Sequence, residues 1–197
     1  TIINNDFSFN SAIGIGMYRS SRNNILHNKL DFNVRGYSFG FYNRGQDSAG
    51  ILVFEQCNDN VFAYNSVTHG GDGFFLWAGQ TTMDNGKGGC NNNYLYKNNF
   101  SYSPTNGIEV TFSRNLITDN IINECDHGIW GGYSWQTSIT GNQFYKNRIG
   151  IAIEHGQNNN ISYNSFESNK TAGVKLWARK IQPADWGYAQ KRDTKSH

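Results

Sequence analysis

The sequence predicts an all-β chain wound as a parallel β-helix, a solenoid of about seven coils of ~22 residues each. Three observations carry this. A short motif, N-x-[IFL]-x-x-N-x-[IFLV], recurs along the chain. Its apolar residues come in scraps too short for helices. Asparagine, a poor strand former, returns in fixed columns between the scraps.

The motif reads "NNILHNKL", "NVFAYNSV", "NYLYKNNF", "NLITDNII" and "NISYNSF". "TSITGNQF" carries Thr in the first slot, and "IINNDF" lacks the leading residue. The second Asn of the motif falls at Asn5, Asn28, Asn65, Asn98, Asn120, Asn142 and Asn164, and the last four are each 22 residues apart. The wider gaps hold inserts near residues 35–56 and 78–89. Three residues before each anchor stands an apolar residue, from Ile2 and Ile25 to Ile161. Two after it stands another, from Phe7 and Leu30 to Phe166. Further on comes a Gly followed by an apolar residue, as in Gly14-Ile15, Gly73-Phe74 and Gly150-Ile151. In the second coil Gly50-Ile51 fits best, with Gly36-Tyr37 as a rival. A second polar column holds Asn10, Asn33, Asn147 and Asn169, with Gly70, Ser103 and Cys125 in the same slot. Coils stack ~4.8 Å apart. Each turn Asn can then bond its counterparts above and below and satisfy buried backbone groups. The ladder asparagines are therefore structural.

On these motifs, residues 1–177 resemble the right-handed parallel β-helix repeat proteins of the pectate-lyase-like superfamily. The resemblance implies a single-stranded right-handed helix. It admits polysaccharide lyases, glycoside hydrolases, epimerases, tailspikes and non-catalytic factors. It also implies a secreted, periplasmic or cell-surface location. A solenoid needs covered ends. Residues 178–197 leave the repeat as a loop or tail, which predicts further coils or partner surfaces beyond it.

The net charge of +2 provides no basic stripe for nucleic acid, and no apolar run is long enough to span a membrane. The expected partner is a polysaccharide or oligosaccharide. Of the three cysteines, Cys57 and Cys90 fall in adjacent coils, either as stacked buried thiols or as a disulfide. Cys125 replaces a ladder Asn. No CxxC pair points to zinc.

Alternation along the Gly-apolar strand sends two columns outward. The first reads Gly16, Leu52, Phe75, Glu109, Trp130, Ala152, Lys175. The second reads Tyr18, Phe54, Trp77, Thr111, Gly132, Glu154, Trp177. Large aromatics beside isolated charges predict a glycan groove walled by the inserts, with Trp77, Trp130 and Trp177 as platforms. Glu109 and Glu154 would stand ~12 Å apart at Cα. Leaning together, their carboxyls reach the ~6.5–9.5 Å of an inverting glycosidase. His127 and His155 are candidate proton carriers. The alternative chemistry is a lyase or epimerase, with Lys175 or a His as base and Arg179 or Ca²⁺ neutralising a uronate carboxylate. No cofactor is required. Asp72 and Asp84 are candidate Ca²⁺ ligands. A non-catalytic glycan-binding or structural module is the reading from a different class.

Overall fold

The computed structural model describes residues 1–41, 45 and 47–179. The chain winds through seven coils, each built from a short strand, an anchor Asn, a second extended stretch, a turn and a long strand. The first short strands form a seven-stranded parallel sheet. In it Ile2, Ile25, Phe62, Leu95, Ile117, Ile139 and Ile161 are successive partners. The long strands form a second seven-stranded sheet, from Ile13–Tyr18 at one edge to Ala172–Trp177 at the other. The third sheet has three strands, Ile121–Asn123, Gln143–Tyr145 and Ser165–Glu167. Single bridges through Asp6, Lys29, Ser66 and Asn99 extend it to the first coil.

The corners explain the asparagines. The residue before each anchor has positive φ, a left-handed conformation that turns the chain sharply: Asn4, His27, Tyr64, Lys97, Asp119, Gly141 and Tyr163. Non-glycine residues pay for this conformation. The ladder that follows each of them offsets the cost. Asn142, fully buried, accepts the backbone N–H and the side-chain amide of Asn120, both at 2.9 Å. Its own amide donates to Ile117 O at 2.9 Å and to Asn164 Oδ1 at 3.0 Å. The leading Asn of the motif forms a third ladder that the sequence reading did not separate from the anchors. Asn23, Asn60, Asn93 and Asn115 bond in succession, and Thr137 and Asn159 continue the line.

Between the sheets lies one apolar core of Ile, Leu, Val, Phe and Met, including Ile15, Phe62, Phe74, Phe100, Ile108, Phe144 and Ile151. The glycine before each long-strand apolar residue is there for space. A Cβ at Gly150 would sit 2.8 Å from the Phe166 ring, closer than packed atoms allow. Cys57, Cys90 and Cys125 are buried free thiols. Cys57 Sγ takes the place of a ladder oxygen, accepting the Ser20 N–H at 3.2 Å.

The second-coil strand is Ala49–Phe54, in register through Ile51 and Phe74, so Gly50-Ile51 rather than Gly36-Tyr37 occupies the repeat. The second insert folds into a helix, Gln80–Asn85, flanked by Gly79 and Gly86 at positive φ. The part of the 178–197 tail from 180 onward lies outside the described residues.

Candidate functional site

The first outward column forms as alternation requires. Gly16, Leu52, Phe75, Glu109, Trp130, Ala152 and Lys175 are successive partners across the long sheet. In the second column, Glu154 pairs with Trp177, while Trp77 is partnered with Phe54.

Around Glu109 the sheet carries a polar cluster. One column at the start of the long strands is aliphatic in most coils, with Ile13, Ala49, Ile149 and Ala172. In three successive coils it becomes Asp72, Asn106 and His127. Asn106 is the hub. Its backbone N–H donates to Asp72 Oδ1 at 2.8 Å, and its side-chain amide donates to Glu109 Oε2 at 3.0 Å. Its Oδ1 lies 3.0 Å from His127 Nδ1. The Thr105 hydroxyl also donates to Asp72 Oδ1. His127 Nε2 lies 2.8 Å from Arg148 Nη2. Arginine can only donate, so Nε2 accepts and Nδ1 carries the proton, given to Asn106. The imidazole is neutral. Arg148 also forms a two-pronged pair with Asp126.

The electrostatics follow from burial. Glu109 is half-buried between Phe75 and Trp130. Desolvation, with the Asp72 charge adding to it, pushes its carboxyl up to about 8. Desolvation also raises Asp72 to about 6, against the lowering by Thr105 and Asn106. His127 is lowered, first by burial and then by Arg148 and Lys175, against the pull of Asp126. At neutral pH the cluster therefore holds a protonated carboxyl, a neutral imidazole and an Asp126–Arg148 pair. The exposed Lys175 ammonium sits 4.8 Å over the Trp177 ring and has no ion-pair partner among the described residues. Beside Arg148 a cavity of ≈ 620 Å³ opens, lined in part by Pro104, Glu124, Asp126, Lys146, Arg148 and Lys170.

Glu154 stands differently. It is 5% exposed and its Oε1 lies 2.5 Å from Nε of Arg179, whose side chain is 72% exposed. Trp130 and Trp177, from the coils on either side of Ala152, meet with ring centroids 5.6 Å apart. His127 also packs against Trp130, with ring centroids 5.5 Å apart. His155 is 2% exposed. Its Nε2 accepts the backbone N–H of Arg179 at 3.0 Å, and its ring stacks on Tyr133 at 4.9 Å.

Several sequence expectations are corrected here. Glu154 and His155 do not line an open cleft with Glu109, because segment 177–179 covers them and Arg179 neutralises Glu154. Arg179 approaches Glu154 through its Nε while its side chain stays largely exposed. The rings of Trp130 and Trp177 pack on each other instead of flanking a gap. Asp72 and Asp84 do not share a cation site. Asp72 begins its strand and is bonded into the cluster, while Asp84 lies beyond the far end of that strand, exposed, accepting the Gln80 amide at 2.7 Å. Among the described residues no group of three or more His, Cys, Asp or Glu is placed to hold a metal. Glu109, His127 and Trp130 are brought together, and Lys175 stands two strands beyond Trp130 in the same outward column. Asn106, Thr105, Asp126 and Arg148 were missed as members of the site. The signal was present: a column that is apolar in the neighbouring coils turns polar in three successive ones.

The family description "right handed beta helix region" matches residues 42–182. No curated protein matches the sequence. Among solved structures, the Streptococcus pneumoniae surface protein and adhesin PfbA is similar, with a TM-score of 0.45 and 9% identity. The match covers 82% of this chain and 64% of that one, so this chain spans less than two thirds of that structure.

Proposed function

From the premise that the chain belongs to the right-handed β-helix family, a fold that fixes no chemistry by itself, we propose that it is a glycan-binding module. Its binding face is the outward side of the long sheet around Glu109, His127, Trp130 and Lys175. The observation that carries this reading is the contrast between the two acids. Glu154 is buried against Arg179, so the second carboxylate that a hydrolase needs to activate water is spent. Glu109 keeps an uncharged carboxyl beside Trp130. A neutral acid, an exposed ammonium and indole rings are groups that recognise sugar hydroxyls and ring faces. A ≈ 620 Å³ cavity lined by Asp126 and Arg148 adjoins the start of these strands. A cell-surface or secreted setting and a polysaccharide partner belong to the same proposal.

A second reading has its own support. Glu109, raised to about 8, can exchange its proton near neutral pH, as elimination from an acidic glycan requires. One experiment separates the two. The full chain is screened on a glycan array, and each binding glycan is then incubated with it. Retention without new ultraviolet-absorbing unsaturated ends, weakened by Trp130→Ala and Lys175→Ala, supports the module. Unsaturated products that vanish with Glu109→Gln support the lyase reading. The absence of any retained glycan overturns both.

A further inference from the structure

A different face of the solenoid carries an arginine with no anionic partner among the described residues. Arg114 precedes the strand Leu116–Thr118 in the first short-strand sheet. Its backbone is tied down, the N–H donating to Asn91 Oδ1 at 3.0 Å and the carbonyl accepting from Asn92 N at 2.8 Å. Its guanidinium lies 5.0 Å over the Trp135 ring, which fixes the plane of the fork. Its Nε is buried and has no hydrogen-bond partner. A buried donor left unmade is costly, and for a charged group more so. Beside it opens a cavity of ≈ 450 Å³, lined by Asn92, Tyr94, Leu116, Gln136 and Ser138 together with Arg114 and its neighbour Asn115. None of these is acidic. Asp59, two coils from Arg114, is engaged by the Asn92 amide at 3.1 Å. The Tyr94 hydroxyl accepts from Thr118 at 3.2 Å and so keeps its own proton to donate.

An immobilised guanidinium whose Nε is unpartnered, lining a cavity without a carboxylate, is complementary to an oxyanion. We propose that this cavity binds a small oxyanionic group, a carboxylate or a sulfate, seated on Arg114 with Tyr94 and Ser138 as further donors. The site lies on another sheet than Glu109 and does not depend on the reading of that face.

The test is a titration of the full chain followed through the arginine Nε–H resonances by NMR. Sodium acetate and sodium sulfate serve as separate probes, with ionic strength held constant by chloride. The Arg114 resonance is expected to move and saturate. Saturation with acetate alone identifies a carboxylate site, and saturation with sulfate alone a sulfate site. Arg114→Lys keeps the charge but loses the fork, and is expected to bind the active probe at least ~10-fold more weakly, read from the remaining backbone amides of residues 92 and 136. Because Arg114→Gln risks a folding defect, the lysine variant with an unchanged melting temperature is the deciding comparison. A linear, non-saturating drift with both probes, or equal binding by Arg114→Lys, overturns the proposal.

Discussion

The interior ladders and the polar cluster sit a few residues apart in the three coils they share, yet they treat repetition in opposite ways. In a ladder the same residue recurs, and each Asn meets the donors and acceptors of the one before it. At the start of the long strands the residue changes, from Ala49 to Asp72, Asn106 and His127 and then to Ile149. Repetition lets each coil satisfy the next without a specific partner elsewhere. A break in repetition leaves side chains that must find partners across the sheet, as Asn106 does with Asp72, Glu109 and His127. Where that break also excludes water, carboxyl groups are held away from their ordinary protonation. The ladders are thus a scaffold, and the break is where chemistry concentrates.

This contrast can be broken at each side. The largest effect is expected in a ladder. Asn142→Ala removes acceptors for Asn120 and donors to Ile117 and Asn164 in a fully buried corner. It should cost about 3 kcal/mol in a urea melt while leaving the titration of Glu109 unchanged. A loss below about 0.5 kcal/mol would mean that the ladder is solvated and that repetition is not what holds the corner.

The next effect concerns the closed acid. Arg179→Ala leaves the Glu154 carboxylate buried without its cation. Because the arginine side chain is largely exposed, the loss should be about 2 kcal/mol rather than the full cost of breaking a buried pair. Glu154→Gln in the same background should restore most of it. If the double variant is no better than the single one, the pair does not close this part of the face.

The smallest effect at neutral pH, and the most specific, belongs to the cluster. Glu109 holds its proton more tightly folded, at about 8, than its ordinary value of 4.5, and Asp72 does so at about 6 against 3.8. The folded state therefore binds more protons through this window. The stability these two carboxyls contribute is greatest below about pH 4 and falls as pH rises toward 8. Glu109→Gln, which copies the protonated acid, should match the wild type at low pH and gain about 1 kcal/mol at pH 7, the half-buried site discounting the full linkage. It should also remove Glu109's share of the decline between about pH 4.5 and 8. Melts in which the variant keeps the full slope would assign the decline to other groups.

The coils, the columns and the direction of each long-strand side chain were legible because they depend only on period and alternation. Ile151 and Ile153 point inward and Trp130 and Glu154 outward on that basis alone. What covers an outward side chain was not legible. The small Ala152 lets Trp130 and Trp177 meet across it, and the backbone N–H of Arg179 reaches His155 from beyond the repeat. Both are contacts between coils or segments that no local pattern encodes. The Asp72–Asn106–His127 column was hidden for a related reason. It has inward parity, and only its position at the strand start lets polar side chains reach the face. The helix Gln80–Asn85 lacks a side-chain cap and has no basic residue in its last turn, so nothing in the insert announced it.

The claim at the centre of this account is that Glu109 keeps its proton at neutral pH. Selective ¹³C labelling of glutamate carboxyls, with Glu109 assigned through the Glu109→Gln variant, reads that proton directly in the full chain. The account predicts a titration midpoint of about 8 for Glu109. A midpoint at the ordinary value of 4.5 would show the carboxyl to be solvated and ionised, and would contradict it.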